Sequence, residues 1–382
     1  MHILHVTPHL PPDQAANALL PWQLGILAQD TGDSVEYVAH PPRAAGAAQL
    51  PGPVAWIPRR TGGIIDRTTR VGALDRAWRI RRAMEPALAR ADLVHVHSNG
   101  LLAELAVLLA RRRDKPVVLT LYGTEIWHYQ PKRPWIDLFS RAYAAASAVT
   151  FYSDRLRSRA GELGLTRRGM QTIYPAVGPQ FEWHDEEAQA RTRTALGISN
   201  RHLLVNVKRL HVLAGQRYLI EAMNEVIRPF PDTRLIICGT GPLAPSLEAS
   251  TRSAGVERHV TFTGLVSNEL VARYCAAADL FILPSLLEAL PTVAVEALAC
   301  GTPVISSDSP GGLELHDVFG PNVSIVPREN PQALAGAIVH FLRNGRRTSP
   351  ATRETIEREF RPAVAAARYQ ELYQQLVGGG RQ

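Results

Sequence analysis

One stretch, residues 278–316, constrains the fold more than any other part of the chain. It begins with a short continuous apolar run, Leu280–Leu283, which is closed by Pro284 and is typical of a buried parallel strand. Residues 292–300 have a helical pattern, and the next strand is expected over residues 303–306. A strand, a helix and a strand in this order predict a βαβ unit, the repeating element of a parallel α/β sheet.

Two carboxylates frame the predicted helix: Glu288 lies in the loop before it and Glu296 about one turn inside it. The open N–H groups at the helix start, around Pro291, Thr292 and Val293, are expected to attract an anion such as a phosphate. A carboxylate one turn further along can accept hydrogen bonds from a neighbouring diol. The combination suits a sugar nucleotide, although two glutamates at this spacing also occur on ordinary solvated helix faces.

The whole string over residues 279–314 resembles the donor-binding signature of the retaining glycosyltransferases of family 4, which are enzymes of GT-B fold. The matching residues run Pro-Ser-x-x-Glu-x7-Glu-Ala-x-Ala-x-Gly-Thr-Pro-Val over 284–304 and Gly-Gly-x-Glu over 311–314. The resemblance implies that Glu288 contacts hydroxyls of the donor sugar and Glu296 holds the nucleotide ribose. It also implies that the amide of Thr292 binds the distal phosphate.

A loop in the second half, Lys-Arg-Leu-His-Val-Leu-Ala-Gly over residues 208–215, resembles the family's Gly-Arg-Leu-x-x-x-Lys-Gly. In the family both cations hold the diphosphate. Arg209 matches, whereas Ala214 replaces the lysine. We expect Arg209 to carry most of the charge neutralisation, because Lys208 is its neighbour at a strand end, where adjacent side chains point to opposite faces.

Two further donor contacts are implied by the resemblance. Gly239 and Gly241 form a Gly-x-Gly-Pro turn between a strand and a helix, similar to the family's turn, although a lone Gly-x-Gly is also common in ordinary turns. Val266 aligns with a family position whose backbone meets the nucleotide base.

The first half departs from the family at two places. Its first loop has Ala15 and Ala16, followed by Asn17, where the family tends to have paired glycines close to the donor phosphate. The added methyl groups limit close backbone approach there. Tyr122 occupies the position of the family histidine that reaches the donor sugar beside the reacting carbon. A tyrosine still donates or accepts a hydrogen bond but is a poor base near neutral pH.

A strand over residues 92–97, Asp-Leu-Val-His-Val-His, resembles the family's Asp-x-Val-His-x-His. We expect at most one of its two histidines, His95 and His97, to face either side of the strand, and therefore no metal-binding pair. No Asp-x-Asp element accompanies the donor motif either. That absence is consistent with the resemblance, which implies a site without a metal ion.

Together these motifs imply an α/β chain of GT-B fold, with two Rossmann-like domains facing across a cleft. The predicted boundaries are an acceptor domain over residues 1–180, a linker over 181–200, a donor domain over 201–350, and a helix over 351–382 that packs back across both domains. The 382 residues, 46% of them hydrophobic, suffice for a sizeable core in two domains. Three widely spaced cysteines, Cys238, Cys275 and Cys300, are interpreted as buried reduced thiols.

Charge and hydropathy limit the choice of partners. Residues 56–115 contain thirteen Lys or Arg and six Asp or Glu, an excess equal to the +7 net charge of the chain. This basic surface fits a solvated helix face, attraction for anionic acceptors, or weak peripheral contact with acidic lipid. Nucleic acid is not expected, because no recognition motif accompanies the charge. The sequence shows neither an apolar run of about 18 residues nor a signal segment, which favours a cytoplasmic protein, possibly peripheral at the inner membrane face.

The expected reaction is retaining transfer of a hexosyl group from a nucleoside diphosphate sugar, UDP- or GDP-linked, to a hydroxyl, without a cofactor. The acceptor is expected to be a small molecule, a glycan or a lipid-linked glycan. Glu288, Arg209 and Tyr122 are the expected catalytic residues. Two alternatives stay open: a donor-binding pseudoenzyme or partner subunit, and a GT-B epimerase or phosphorylase that uses the same cleft.

Overall fold

The computed structural model describes residues 1–13, 15–43, 46, 48–59, 70–132 and 137–379. The chain divides into two compact units, one formed by Met1–Pro175 with Ala365–Gln382 and the other by Ala176–Val364. The segment predicted as a linker, residues 181–200, lies in the second unit and contains a helix, Glu186–Ala195.

The first unit contains a parallel sheet of seven described strands, ordered β3-β2-β1-β4-β5-β6-β7. The strands are β1 His2–Thr7, β2 Ser34–Ala39, β3 Val54–Trp56, β4 Leu93–His97, β5 Val117–Leu121, β6 Ala148–Phe151 and β7 Met170–Thr172. Its helices are α1 Ala16–Asp30, α2 Arg70–Arg90, α3 Leu101–Arg111, α4 Thr124–Trp127, α5 Leu138–Ala145 and α6 Asp154–Glu162. The central strands are almost wholly buried, as expected when helices cover both faces of a parallel sheet.

The second unit contains a parallel sheet of six strands, ordered β10-β9-β8-β11-β12-β13. The strands are β8 His202–Val207, β9 Thr233–Cys238, β10 Val260–Gly264, β11 Leu280–Leu283, β12 Val304–Ser307 and β13 Val323–Val326. Its helices are α7 Glu186–Ala195, α8 Gln216–Ile227, α9 Ala244–Ser253, α10 Asn268–Ala277, α11 Thr292–Ala299, α12 Pro310–Phe319, α13 Pro331–Asn344 and α14 Pro350–Glu359. Short 3₁₀ turns cover Val212–Ala214, Glu257–His259 and Gly320–Asn322.

The order of the strands places the candidate sites. In each sheet the strand order reverses once, between β1 and β4 in the first unit and between β8 and β11 in the second. Open parallel α/β sheets bind ligands at the carboxyl ends of the strands at such a reversal. The loops after these four strands are therefore the expected ligand-binding loops, and those of the second unit include the predicted Arg209 and Glu288.

The helix predicted over residues 351–382 is two helices in the structure. The second, α15, spans Pro362–Gly378, and Phe360 and Arg361 separate it from α14. A proline lacks the N–H that a continuous helix would need, but it fits the first turn of a new helix, so Pro362 both ends one helix and begins the next. From Ala365 onward α15 belongs to the first unit, where Tyr369 and Tyr373 are buried.

The prediction for the cysteines is confirmed. Cys238, Cys275 and Cys300 are all buried and free. Burial raises the pKa of the Cys300 thiol to about 12 and that of Cys275 well above its ordinary value, so both thiols stay protonated. Of the helices in the described residues, none has the length and apolar character needed to cross a membrane.

Candidate functional site

The predicted donor residues gather at the carboxyl edge of the second sheet, where β8 and β11 lie side by side. Leu204 and Val205 of β8 pair with Leu280 and Phe281 of β11, so the loops that follow these strands are neighbours. Lys208 and Arg209 begin the first loop, and Glu288 lies in the second.

Two glycines allow a third loop to pack against residues 208–210. A Cβ on Gly239 would lie 2.1 Å from the carbonyl oxygen of Lys208, and one on Gly241 would lie 2.2 Å from that of Leu210. Gly239 also has a φ of +141°, which residues with a side chain rarely adopt. The structure therefore gives both glycines a clear part in packing this edge of the sheet, and their contact with a donor stays a prediction.

A further close approach joins the loops after β8 and β11. Gly215, with a φ of +69°, packs so closely that a Cβ there would lie 2.0 Å from the carbonyl oxygen of Pro284. The amide of Leu286 donates to the carbonyl oxygen of Leu213 at 2.8 Å. Ala214, where the family has a lysine, is only 3% exposed between these contacts. The position is therefore enclosed as well as uncharged.

Lys208 and Glu288 form an ion pair across the two loops, with Nζ 2.5 Å from Oε1. The two side chains are 28% and 13% exposed. Arg209 is exposed and has no ion-pair partner among the residues that the structure describes. The two neighbouring side chains thus differ in their surroundings, and it is Lys208 that meets the carboxylate predicted to bind the sugar.

The backbone around Glu288 is held by the start of α12. The amide of Gly311 donates to the carbonyl oxygen of Glu288 at 3.0 Å. A Cβ on Gly311 would lie 2.7 Å from the Cβ of Glu288, so only glycine allows this contact without a shift. The side chain of Arg328 adds a hydrogen bond from Nη1 to the carbonyl oxygen of Leu286 at 3.2 Å. These contacts fix the position from which the Glu288 carboxylate projects.

The N-terminus of α11 is open. Pro291 is its N-cap and accepts from the amides of Ala294 and Val295, at 3.0 and 3.4 Å. No side chain caps this end, and the first turn contains no acidic residue. The amides of Thr292 and Val293 make no backbone hydrogen bond within the described residues. Unsatisfied amides at a helix start attract an anion, as the sequence predicted for this helix.

Glu296 lies one turn into α11 and is half-buried. Among the described residues its carboxylate has neither a hydrogen bond nor an ion pair, and burial raises its pKa to about 7. A desolvated carboxylate with some remaining exposure gains free energy from any ligand that donates hydrogen bonds to it. The geometry therefore suits a hydroxyl-bearing ligand beside the open helix start.

Three buried side chains at this edge were given no role by the sequence analysis, although Ser285 belongs to the motif quoted above. Asn206 donates from Nδ2 to the carbonyl oxygen of Ile282 at 2.8 Å, and Gln216 donates from Nε2 to that of Arg209 at 3.3 Å. The Oδ1 of Asn206, the Oε1 of Gln216 and the hydroxyl of Ser285 are buried and have no partner among the described residues. The contact of Asn206 could not be predicted from local sequence, because its partner lies on another strand, β11.

Val266 lies at the same edge, in the loop after β10, and is half-buried beside Leu265, which is 70% exposed. The amide of Gly239 donates to the carbonyl oxygen of Gly264 at 2.8 Å, which connects the two loops. A role for the Val266 backbone in base recognition stays a prediction.

The first-unit loop forms the start of α1. Ala15 is the N-cap of α1, without a side-chain cap, and Ala16 is its first residue. The carbonyl oxygen of Asn17 accepts a hydrogen bond from the hydroxyl of Thr7, whereas its side-chain Oδ1 is buried without a partner among the described residues. Asn17 is therefore the residue of this loop with an unused acceptor.

Tyr122 follows β5, and its hydroxyl is hydrogen-bonded to Nδ1 of His97 at 2.7 Å. Burial, with a smaller contribution from neighbouring Tyr152, holds its pKa well above the ordinary value, so the phenol stays neutral. The Glu125 carboxylate accepts from the amides of Tyr122 and Gly123, at 3.2 and 2.7 Å, and fixes the turn. Tyr122 can exchange hydrogen bonds here but cannot serve as a base near pH 7.

The prediction that at most one histidine of β4 faces either side is wrong. Residues two apart on a strand share a face, and the His95 and His97 rings lie 4.0 Å apart between centroids. His5 of β1 joins them, with its Nδ1 3.1 Å from Nε2 of His97, and all three side chains are fully buried. One ligand nitrogen from each lies within 4.8 Å of the others, a spacing compatible with a metal ion.

Hydrogen bonds already occupy most of these ring nitrogens. His95 is bonded through Nδ1 to the hydroxyl of Tyr373 and through Nε2 to that of Thr120, both at 2.6 Å. Burial lowers the pKa of His5 to about 3 and the pKa values of His95 and His97 well below their ordinary value. The cluster is therefore neutral. The sequence analysis missed both His5 and Tyr373, which reach the cluster from distant parts of the chain.

Two family models match the chain. The model described as "Glycosyl transferases group 1" matches residues 189–358, and the model described as "Glycosyl transferase 4-like domain" matches residues 23–176. Between them they cover the segments that contain most of the predicted site residues.

Curated relatives and solved structures agree. The chain is 33% identical over 262 residues to the GDP-mannose-dependent alpha-(1-6)-phosphatidylinositol monomannoside mannosyltransferase of Mycolicibacterium smegmatis, covering 65% of this chain and 68% of that protein. It is 30% identical over 294 residues to the putative teichuronic acid biosynthesis glycosyltransferase TuaC of Bacillus subtilis, covering 75% and 67%. The structure of sucrose-phosphate synthase from Thermosynechococcus elongatus matches with a TM-score of 0.75 at 20% identity, covering 99% of this chain and 100% of that chain. That of Anabaena HepE, in complex with UDP and glucose, matches with a TM-score of 0.74 at 19% identity, covering 98% and 100%. Both the predicted α/β fold and the predicted family are thus confirmed: the chain belongs to the GT-B glycosyltransferases of family 4 type.

Proposed function

We propose that this protein is a retaining glycosyltransferase that moves a hexosyl group from a nucleoside diphosphate sugar to an acceptor hydroxyl without a metal ion. The observation that carries the proposal is the Glu296 carboxylate, desolvated and unpartnered among the described residues, one turn inside the open N-terminus of α11. The helix amides suit a phosphate, and the carboxylate suits a ribose diol. We assign the sugar contact to Glu288, which lies in the preceding loop.

The reaction requires stabilisation of the negative charge that grows on the leaving diphosphate. The amides of Thr292 and Val293 supply fixed donors for it, and Arg209 supplies a guanidinium. Glu288 orients the sugar and is not assigned as a nucleophile. Tyr122, kept neutral by burial, contributes a hydrogen bond rather than proton abstraction.

The donor is proposed to be a UDP- or GDP-linked hexose. The mannosyltransferase of Mycolicibacterium smegmatis is named as GDP-mannose-dependent, so GDP-mannose is the first donor to test. Acceptors named for the relatives include a phosphatidylinositol mannoside and 2-deoxystreptamine. The acceptor here is proposed to be a hydroxyl of a small molecule, a glycan or a lipid-linked glycan.

The test is incubation of the purified protein with UDP- and GDP-linked hexoses, with and without mixed acceptors. Release of nucleoside diphosphate that depends on acceptor, with unchanged rate in EDTA and an α-linked product from an α-linked donor, supports the proposal. Binding without turnover in every mixture supports a pseudoenzyme instead. Conversion of the donor alone supports an epimerase. A rate that falls in EDTA and returns with zinc would contradict metal independence and would implicate His5, His95 and His97 as metal ligands.

A second proposal concerns α2, whose outer face combines aromatic and basic side chains. Leu74 and Trp78 are 70% and 57% exposed, and the guanidinium carbon of Arg82 lies 5.3 Å from the centre of the Trp78 ring. Trp78, Arg81 and Arg82 line a surface hollow of about 500 Å³. Tryptophan and arginine together favour the headgroup region of an anionic bilayer, so we propose a cytoplasmic protein that binds the inner membrane face weakly.

Sedimentation with vesicles tests this surface. The protein is expected to pellet with vesicles containing anionic lipid at low salt and less at about 0.15 M salt, where screening is substantial. Arg82→Glu should reduce pelleting, whereas Arg252→Glu, an exposed arginine of the second unit, makes the same charge change as a control. Equal recovery in the supernatant with neutral and anionic vesicles, or equal effects of the two variants, would contradict a role for this face.

A further inference from the structure

The pairing of Lys208 with Glu288 bears on how the diphosphate is neutralised. The position that carries the second cation in the family is Ala214, a buried residue of a 3₁₀ turn. Gly215 and Leu213 hold this turn against the loop after β11. Because this position carries no charge, the diphosphate would be left with one side-chain cation, Arg209, unless another residue supplies a second.

Lys208 is held at the same edge of the sheet. Its amide donates to the carbonyl oxygen of Cys238 at 3.0 Å, and its own carbonyl oxygen lies against Gly239. The Gln216 side chain donates to the carbonyl oxygens of both Lys208 and Arg209, at 3.5 and 3.3 Å. The backbone is therefore fixed, while the four-carbon side chain of Lys208 remains 28% exposed and able to turn.

The Lys208–Glu288 pair also occupies a carboxylate that the proposed reaction needs. Glu288 can contact a sugar hydroxyl fully only when the ammonium moves away from it. A partly exposed ion pair adds little net stability, because solvent screens it and both side chains lose freedom. A diphosphate carries more negative charge than a carboxylate and can compete for the ammonium.

We infer that Lys208 is the second cation of the diphosphate site, that it rests on Glu288 in the free protein, and that donor binding transfers it to the diphosphate and releases Glu288 to the sugar. The inference rests on the proposed function. It differs from the sequence-based expectation, which assigned most of the side-chain charge neutralisation to Arg209 and little to Lys208. Because the diphosphate gains charge as the glycosidic bond breaks, the ammonium contributes more in the transition state than in the bound donor.

Binding measurements separate this inference from the proposed function. For the unmodified protein, titration calorimetry is done with a nucleoside, its monophosphate and its diphosphate, using the base that binds best. Lys208→Met is expected to weaken the diphosphate at least tenfold and to leave the nucleoside unchanged, whereas Lys208→Arg, which keeps the charge, should retain most of the affinity. Lys132→Met, at an exposed lysine of the first unit, is the matched control.

The switch itself is tested by a double-mutant cycle. Glu288→Gln should tighten diphosphate binding several-fold because Lys208 is no longer held, and this gain should vanish in a Lys208→Met background. If Lys208→Met and Lys208→Gln both keep full diphosphate affinity, while the unmodified protein binds the diphosphate and transfers the sugar, the inference is overturned and the proposed function stands. Failure of the unmodified protein to bind any nucleoside diphosphate would overturn the proposed function as well.

Discussion

The environment of Glu296 destabilises its charged carboxylate when no ligand is bound. Its carboxylate is desolvated, and among the described residues no side chain or amide compensates it. Glu288, eight positions earlier, has a cation beside it instead. The two glutamates of the motif therefore differ in chemistry, and each should give a different phenotype when its charge is removed.

Glu296→Gln is expected to weaken nucleoside diphosphate binding by about 1.5–3 kcal/mol, because a charge-assisted hydrogen bond to a ribose hydroxyl becomes a neutral one. Glu288→Gln should not weaken the free nucleotide but should lower kcat. Calorimetry with the nucleotide and initial rates with the donor measure the two effects. A loss of nucleotide affinity in Glu288→Gln as large as that in Glu296→Gln would refute the assignment of sugar and ribose roles.

The raised pKa of Glu296 also predicts a pH dependence. Burial raises its pKa from the ordinary 4.5 to about 7 in the folded protein, so the folded state binds more protons than the unfolded state between these values. Its contribution to the free energy of unfolding is therefore fully present below pH 4.5 and is lost as the pH rises through 7. The free energy of unfolding, measured with urea, should fall less from pH 5 to pH 8 in Glu296→Gln than in the unmodified protein. An equal drop in both proteins would show that Glu296 is already solvated.

At the scale of secondary-structure elements, the site depends on how closely loops pack at the strand ends. Gly215, Gly239 and Gly311 each allow a carbonyl oxygen or a side chain of a neighbouring loop to approach where a Cβ would clash. These close contacts leave no space between the loops, and so they hold the Glu288 loop in position relative to the open start of α11. A methyl group at such a position should affect ligand binding as well as stability.

Gly239→Ala tests this packing. The new Cβ would lie 2.1 Å from the carbonyl oxygen of Lys208, on a residue with φ of +141°. We expect a loss of about 1–3 kcal/mol in the free energy of unfolding and weaker nucleotide binding, because the Lys208 loop must move. Gly161→Ala in α6, where no atom lies within 4 Å and φ is negative, should be neutral or slightly stabilising. Chemical denaturation of both variants makes the comparison, and similar values for the two would contradict the packing argument.

For the molecule as a whole, the chain returns to its first unit after completing the second. Residues from Ala365 onward belong to the first unit, and the hydroxyls of Tyr369 and Tyr373 reach the polar network of His95 and Thr120. The first unit is therefore completed by residues far along the chain from its sheet: the hydrogen-bonded Thr120 and Tyr369 are 249 positions apart.

Tyr369→Ala is expected to lower the free energy of unfolding by about 3–5 kcal/mol, since this side chain is only 1% exposed. Tyr373→Phe, which removes only the hydroxyl bonded to His95, should cost about 1 kcal/mol. Thermal unfolding and limited proteolysis measure both, with early cleavage expected in residues 1–175. If the first unit of Tyr369→Ala is as stable as that of the unmodified protein, α15 does not contribute to the stability of the first unit.

Patterns within short stretches of sequence determined the fold class and much of the candidate site. Apolar runs, a proline at a helix start and glycines after strands are local signals, and they predicted the βαβ unit and the open helix start one turn before Glu296. Separate motifs resembling those of the family likewise identified Glu288, Arg209 and Tyr122 as candidates.

Only the tertiary structure decided which of these side chains meet. The pairing of Lys208 with Glu288, the burial of Ala214 and the joining of His5 to His95 and His97 all follow from strand order, in which β8 lies beside β11 and β1 beside β4. Residues far apart in the chain become neighbours at a sheet edge because long-range packing selects that order. No local pattern encodes it. The two-residue periodicity of β4 does place His95 and His97 on one face, but neither the addition of His5 to them nor the pairing of Lys208 with Glu288 follows from local sequence.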